Sequence, residues 1–269
     1  MSSAAPTKRD YQPNVLTSRK GVRDWLKPFV TTSVGMKVTT AVTGAILTGF
    51  VIIHLIGNLK LFGGQDALNS YAQFLKDLGL LLWVGRGALL AVFLLHIYLA
   101  LTLAMRASAA RPAPYQHPAT IQASTGSVTM PWTGLVILAF VIFHLAHFTF
   151  GWVKTTPAYD SSTNTIVDAN YLSLVDQQGR HDVYSMVVAG FRNPIVSALY
   201  IVAIVFLYVH LSHGIGSVFQ TLGLNTPRLQ PFVSGLSRVL ALLISAGNIL
   251  IVLAVWSGLV PEVDKVVRH

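Results

Sequence analysis

Six histidines lie inside long apolar stretches of the sequence, where an ionisable side chain is costly unless it has a task. They fall in four separate stretches, as His54, His96, His144 with His147, and His210 with His213. The chain has no cysteine, which excludes cysteine-held zinc and iron–sulfur clusters. Neutral imidazole is a common ligand of transition metals and of haem iron. The histidines are therefore the residues best suited to chemistry in this chain.

A histidine in a membrane helix can instead serve the fold alone, by donating a hydrogen bond to a neighbouring helix. For any single histidine this structural role is as good an explanation as a functional one. Four stretches that each contribute histidine, with no aspartate or glutamate in any of them, fit a purely structural role poorly. The pattern favours metal or haem ligation.

Five apolar segments must position these histidines, and each is long enough to cross about 30 Å of hydrocarbon. We predict helices at roughly 35–59, 80–105, 133–153, 195–219 and 236–259. Helix is required because an open strand in lipid would leave its backbone groups without hydrogen bonds. With 53% hydrophobic and 11% charged residues, the composition is far from that of a soluble domain. The predicted fold is an all-α integral membrane protein, with a five-helix membrane domain over 35–260.

The net charge of +9 is distributed unevenly between the two sides of the predicted membrane domain. With the N-terminus inside, the inner segments carry eleven lysines and arginines against two aspartates, whereas the outer segments are balanced. The positive-inside rule then predicts a cytoplasmic or interfacial segment at 1–34 and a short outer tail at 261–269. Because the basic residues lie between apolar runs, nucleic-acid binding is excluded. We expect a multi-pass protein of the cell's inner (cytoplasmic) membrane.

Depth in the membrane sorts the histidines into two layers, and a haem held by two histidines needs both at a similar height. Measured at about 1.5 Å per residue from the inner boundaries, the heights are roughly 25 Å for His54, 16 Å for His144, 21 Å for His147, 15 Å for His96, 14 Å for His210 and 9 Å for His213. The first span thus pairs with the third near the outer face, and the second with the fourth nearer the inner face. Depth does not choose between the two histidines of the third span, or between those of the fourth.

Several short segments resemble a known family, the di-haem cytochrome b subunits of the b558 type in succinate dehydrogenases and fumarate reductases. The resemblance extends from about residue 35 to 258. It is carried by the order and spacing of His54-Leu55 followed by Asn58, Ala67-Leu68-Asn69-Ser70, Leu95-His96, Thr133-Gly134 before His144, and His210-Leu211-Ser212-His213-Gly214.

The resemblance implies a specific set of ligands for two haems b. His54 and His144 would be the axial ligands of an outer haem, and His96 and His210 those of an inner one. His147 and His213 would be spare or have secondary roles. His213 could bond a haem propionate, lie near quinone or reach interfacial water, and we expect the last. Four glycines are candidates for close approach between the macrocycle and its helices, namely Gly44, Gly49, Gly87 and Gly134, although small residues also serve ordinary helix packing.

The resemblance also implies partners and a direction of electron flow. A flavoprotein subunit with FAD and an iron–sulfur subunit would dock on the cytoplasmic side and perform the dicarboxylate chemistry. This chain would anchor them in the lipid bilayer as part of succinate dehydrogenase and carry electrons through two haems b to quinone, which we expect to be menaquinone. Alternatives are a fumarate reductase anchor running in reverse, a formate dehydrogenase or hydrogenase cytochrome, and a transporter whose histidines relay protons.

The resemblance also bears on proton movement. Some di-haem fumarate reductases offset the charge of the transferred electrons with a proton path that uses an acidic residue two positions before the fourth-span ligand. This chain has Tyr208 at that position. We therefore expect electron transfer across the membrane to be electrogenic.

Polar residues near the span boundaries could line a quinone pocket, but surface anchoring explains them equally well. They include Asn58, Lys60, Arg86 and His147.

Overall fold

The computed structural model describes residues 22–110, 125–153, 155–160, 162–263 and 267–268. Most of the predicted N-terminal segment and much of the loop between the second and third spans lie outside the described residues, as do 264–266 of the tail. The described helices are α1 Val22–Thr31, α2 Ser33–Asn58, α3 Gly64–Asp77, α4 Leu80–Ala109, α5 Thr125–His144, α6 Val183–Arg192, α7 Pro194–Thr221 and α8 Gln230–Trp256. The described strands are β1 Thr155–Asp160, β2 Thr165–Asn170, β3 Leu174–Val175 and β4 Val267–Arg268.

Five of these helices are long and apolar enough to cross a membrane. This confirms the predicted number and apolar character of the long helices. They are α2, α4, α5 with its continuation, α7 and α8. A π-helical turn, Leu145–Thr149, continues α5. Helix α5 begins at 125 and α8 at 230, several residues before the predicted 133 and 236. The difference arises because hydropathy marks the apolar stretch and misses the more polar turns that extend a helix beyond it.

Helix α7 lies at the centre of the bundle and packs against α8, α5 and α2, while α4 packs mainly against α2. One apolar core joins Tyr200 and Ile204 of α7 to Val255 of α8. Farther along α7, a second core joins Leu211 to Ile244. Large apolar side chains on the outward faces of these helices remain exposed, as a surface in contact with lipid requires.

Asn193 and Pro194 set the start of α7. The Asn193 side chain caps the helix by accepting hydrogen bonds from the backbone N–H groups of Ile195 and Val196, at 3.0 and 3.1 Å. Proline suits the first helical position because its fixed φ is helical and its missing N–H would have no intrahelical partner there. This junction ends α6 and aims α7 into the bundle.

A polar cap, which we define as residues 59–79, 150–153, 155–160, 162–193, 257–263 and 267–268, covers the end of the bundle where α2, α5 and α8 finish. It contains α3, α6 and a four-stranded sheet in the order β2-β1-β4-β3. Strand β4 pairs in parallel with β1 and antiparallel with β3, so the chain after α8 supplies an inner strand. The sequence analysis predicted only outer segments and a short outer tail here, and it did not predict these helices and strands.

The side chain of Asn69 joins α3 to the start of α6 and is fully buried. Its amide donates to Asp176 Oδ2 at 3.1 Å and to Asp182 Oδ1 at 3.0 Å, while its oxygen accepts from the backbone N–H of Tyr184. Asp182 also caps α6 by accepting from the Ser185 N–H. Asn69 thus uses both ends of its amide to hold the cap together.

Arg180 forms ion pairs with Asp176 at 2.7 Å and with Asp66 at 2.9 Å. Burial on its own would raise the pKa of Asp176, but hydrogen bonds from Arg180 and Asn69 outweigh it and hold that pKa below its usual value. Arg180 also donates to the Ser70 hydroxyl at 2.6 Å. The Asn69-Ser70 segment singled out in the sequence therefore has a structural task in the cap.

Candidate functional site

His54 on α2 and His144 on α5 face each other at the cap end of the bundle. Their ring centroids are 5.9 Å apart and their planes are nearly perpendicular, at 89°. Each ring lies against a phenylalanine one turn earlier in its own helix, Phe50 at 5.5 Å and Phe140 at 5.9 Å. The structure thus brings together the two histidines that the sequence analysis assigned to the outer layer.

The separation of these two rings can be compared with that of two imidazoles bound to one metal. Two metal–nitrogen bonds of about 2 Å, with about 1.1 Å from each nitrogen to its ring centre, place the centroids about 6 Å apart. The observed 5.9 Å matches this value. Rotation about a metal–nitrogen bond leaves the angle between the ring planes free, so the perpendicular planes are compatible with axial ligation.

His147, the second histidine of this region, has a different environment from His144. Its side chain is 0% exposed and stacks on Phe148 with centroids 4.0 Å apart. Tyr171, whose pKa burial raises to about 12, lies 5.7 Å away, and a Cβ added at Gly190 would approach the His147 ring within 3.1 Å. His144 is only partly buried. The geometry therefore favours His144 over His147 as the accessible ligand.

The hydroxyl of Tyr200 on α7 lies between the two histidines of this region. It is 3.2 Å from Nδ1 of His144 and 3.0 Å from Nδ1 of His147. Tyr200 is itself buried against Phe140 and Phe191. Sequence reasoning did not identify this tyrosine, because its partners are distant in the chain and only the packing of α5 on α7 brings them together.

His96 on α4 and His210 on α7 are the two histidines that the sequence analysis assigned to the inner layer. Each is held by a buried threonine of a neighbouring helix. Thr43 of α2 lies 3.1 Å from Nδ1 of His96, and Thr133 of α5 lies 3.1 Å from Nδ1 of His210. The two histidines of the inner layer therefore have the same arrangement of partners.

The hydrogen bonds of the two threonines indicate which ring nitrogen carries the proton. The hydroxyls of Thr43 and Thr133 also contact a carbonyl in the preceding turn of their own helix, at 2.8 and 3.1 Å. A hydroxyl that donates to such a carbonyl can only accept from Nδ1–H. This arrangement leaves the lone pair on Nε2, the nitrogen farther from the helix backbone.

A glycine follows each of these threonines and lets the imidazole approach its helix. A Cβ added at Gly44 would lie 3.2 Å from Cε1 of His96, and one at Gly134 would lie 3.6 Å from Cε1 of His210. The first distance is tighter than an ordinary contact and the second is ordinary. Gly49 and Gly87 have nothing within 4 Å of such an atom among the described residues, so the structure gives them no comparable contact.

In the fourth span, the hydroxyl of Thr133 contacts Nδ1 of His210. His213 lies about one turn farther from the cap in the same helix and is partly buried. Tyr208 packs beside the apolar core that contains Leu211 and Ile244. The contacts thus favour His210 as the ligand in this span.

Two boundary residues considered for a quinone pocket have other partners. Lys60 lies over the ring of Tyr71 at 5.5 Å, and Arg86 over the ring of Trp83 at 5.1 Å. Cations and aromatic rings of this kind anchor a membrane protein at the interface. The structure explains both residues as anchors.

Among the residues that the structure describes, no three or more histidine, aspartate or glutamate side chains are grouped so that they could hold a metal ion. The histidines come in pairs instead. A pair suits haem iron, whose porphyrin supplies the other four ligands. The ring separation of the first pair and the Nδ1 partners of the second both fit this group.

Comparisons of the chain with protein-family models, with curated proteins and with solved structures find no match.

Proposed function

We propose that this chain is a membrane cytochrome b that binds two haems b, each between histidines of two different helices. His54 and His144 would hold the haem nearer the cap, and His96 and His210 the other. The observation that carries the proposal is the pair of threonine contacts to Nδ1 of His96 and His210. Outer hydrogen bonds of this kind fix the tautomer and orientation of metal-bound histidine.

A purely structural role explains these contacts less well. A histidine that only links two helices needs one hydrogen bond, and a threonine supplies it to His210. Its Nε2 then has no hydrogen-bond partner among the described residues and remains accessible at the surface of an apolar helix. An acceptor left unsatisfied in this setting is unfavourable unless it binds something. Iron coordination would use that lone pair.

Within this class, we propose the anchor subunit of a succinate dehydrogenase. The order and intervals of the histidines, together with the Asn69-Ser70 segment, support this choice over other di-haem cytochromes. The excess of basic residues in the segments at the end opposite the cap supports a cytoplasmic position for that end. The flavoprotein and iron–sulfur subunits would dock there, and quinone, which we expect to be menaquinone, would accept the electrons.

Bound haem, held by two histidines, would supply one-electron transfer. The residues of this chain would do the rest. Thr43 and Thr133 would hold two of the imidazoles in one tautomer, and Gly44 would admit the His96 ring to α2. The apolar helices would keep the site in a medium of low dielectric constant.

A difference spectrum of the purified complex tests this function. We expect haem b absorbance bands that appear on addition of succinate, about two haems per chain by extraction, and a flavoprotein and an iron–sulfur subunit that co-purify. A colourless protein would contradict the cytochrome and favour a transporter. Reduction by formate or hydrogen, with succinate inactive, would contradict the succinate dehydrogenase assignment but leave the cytochrome in place.

A further inference from the structure

His144 lacks the threonine partner that His96 and His210 have, and the Tyr200 hydroxyl occupies the equivalent position at Nδ1. The distance of 3.2 Å is similar to the 3.1 Å of each threonine contact. The difference lies in the second partner of the hydroxyl. A threonine oxygen lies near the carbonyls of its own helix and can donate to one. A tyrosine oxygen lies at the far end of its ring and needs an acceptor elsewhere.

His147 provides that acceptor. Its Nδ1 is 3.0 Å from the Tyr200 hydroxyl, and its ring is held in place by the stacking on Phe148. It belongs to the π-helical turn that begins directly after His144, and wide turns of this kind occur often at functional sites. Within the described part of the chain, Tyr200 has no other hydrogen-bond partner.

Counting protons fixes the direction of this chain of hydrogen bonds. The neutral hydroxyl has one proton, so it can donate to only one of the two Nδ1 atoms. If both imidazoles donated to it, its own proton would have no acceptor in a buried position. One histidine must therefore donate and the other must accept. A His144 that binds iron through Nε2 carries its proton on Nδ1, so His144 donates to Tyr200, and Tyr200 donates to His147.

We propose that Tyr200 is the positioning residue of His144, and that His147 sets the direction in which the tyrosine proton points. This inference rests on the proposed function, since it assumes that His144 binds haem. It gives His147 a task that the sequence analysis left open. His147 does not bind the iron; it prevents the Tyr200 hydroxyl from donating to His144 and selecting the wrong tautomer.

The test measures haem content and optical redox titrations of the whole complex. His54→Ala first identifies the spectral component of the haem nearer the cap. Tyr200→Phe is expected to raise the midpoint potential of that component alone, because a hydrogen bond at Nδ1 makes the imidazole more basic and stabilises ferric iron. Thr133→Val is the matched control and should shift only the other component. A Tyr200→Phe complex with neither component shifted, or with both shifted equally, would overturn the inference.

Variants of His147 separate proton direction from packing. His147→Leu removes the acceptor and should lower the affinity for the haem nearer the cap about 10- to 100-fold. His147→Asn can place its amide oxygen near the position of Nδ1 and should retain that haem. Adding Tyr200→Phe to His147→Leu should restore much of the lost affinity, because the competing donor is gone. A double variant that binds this haem as poorly as His147→Leu would show a packing effect and reject the inference.

The two proposals fail in different ways. If His54→Ala removes no haem, the proposed ligands are wrong and the proposed function fails with them. If His54→Ala removes one haem while the Tyr200 and His147 variants behave like the parent protein, only the role of Tyr200 is wrong.

Discussion

The hydroxyl of Thr133 lies 3.1 Å from Nδ1 of His210, across the interface between α5 and α7. An equivalent contact, from Thr43 to His96, crosses the interface between α2 and α4 at the same distance. In each case the threonine is buried and is followed by a glycine. Each of these two helix interfaces thus uses a Thr-Gly dipeptide to hold one imidazole.

Replacing either threonine by valine should weaken binding of one haem without unfolding the bundle. Valine keeps the shape of threonine but cannot accept from Nδ1–H, so Thr43→Val and Thr133→Val should each lower the affinity for the haem between His96 and His210 about 10- to 100-fold. Haem extraction measures this. Thr48→Val is the control, since Thr48 bonds only to the Gly44 carbonyl at 2.8 Å. Equal haem loss in all three variants would mean that the effect is general destabilisation.

Removing the proposed ligands should separate the two haems. We expect His96→Ala and His210→Ala to lose one haem, and His54→Ala and His144→Ala to lose the other, so that each variant keeps about one per chain. His213→Ala should keep both, because the threonine partner belongs to His210. Spectra of the four variants should fall into two classes. A haem lost from His213→Ala but retained in His210→Ala would reverse the assignment in α7.

The glycine contacts predict a steric effect at one position and none at another. Gly44→Ala places a methyl group 3.2 Å from Cε1 of His96 and should displace that ring, with loss of haem from this pair. Gly49→Ala lies on the same helix and meets nothing within 4 Å, so it should bind both haems as the parent does. Haem content of the two variants decides the point. Similar losses in both would point to helix packing instead.

Asn69 should be one of the most sensitive positions of the cap. Asn69→Leu removes two donors from buried carboxylates and one acceptor from the Tyr184 N–H, at a cost of about 1–3 kcal/mol for each group left unsatisfied. Thermal unfolding in detergent should show a lower Tm for this variant. Gln73→Leu, which removes only an exposed contact with Asp77, should leave the Tm almost unchanged. A Tm equal to that of the parent for Asn69→Leu would contradict the proposed role of Asn69 in holding the cap together.

Stability of the cap should depend on pH through Asp176. Because its pKa is held below the unfolded value, this carboxylate stabilises the folded state above about pH 4, and the stabilisation is lost as the pH falls through the lowered pKa. Arg180→Gln should reduce this acid dependence, since Arg180 supplies several of the interactions that lower the pKa. Unfolding followed between about pH 3 and 7 for both proteins measures the difference. Parallel stability curves would show that Asp176 does not contribute.

Electron transfer to a low-potential quinone should respond to the membrane potential. The five long helices contain no aspartate or glutamate, so a carboxylate relay that would compensate the electron's charge is absent from them. Moving one charge through 100 mV corresponds to about 2.3 kcal/mol. Succinate oxidation by menaquinone in sealed vesicles should therefore slow when an uncoupler collapses the potential. An unchanged rate would mean that protons cross with the electrons by another route.

Much of the bundle could be predicted because lipid imposes a simple rule on sequence. Apolar stretches of sufficient length predicted five helices, and helical rise placed the histidines of the first and third spans in one layer and those of the second and fourth spans in another. The choice within each span could not be made this way. In α7 it depends on which imidazole contacts Thr133, and in α5, where both imidazoles contact Tyr200, it depends on which one is left accessible. These features are set by the rotation of α5 against α7, which hydropathy does not report.

The cap was harder to predict for a physical reason. Its strands have two to six residues and little alternation, so their pairing is decided by partners far away in the chain. Strand β4 pairs with β1 across more than a hundred residues. The buried contacts of Asn69 also join distant segments, and a single asparagine in a polar stretch gives no sign of them.

Strand β4 lies between β1 and β3 in the sheet, yet in the chain it follows all five long helices. During biosynthesis, β1 and β3 therefore have no partner between them until α8 has been inserted. An unpaired strand edge is open to pairing with other chains. Closure of the sheet by β4 is thus a late assembly step, which follows the synthesis of all five long helices.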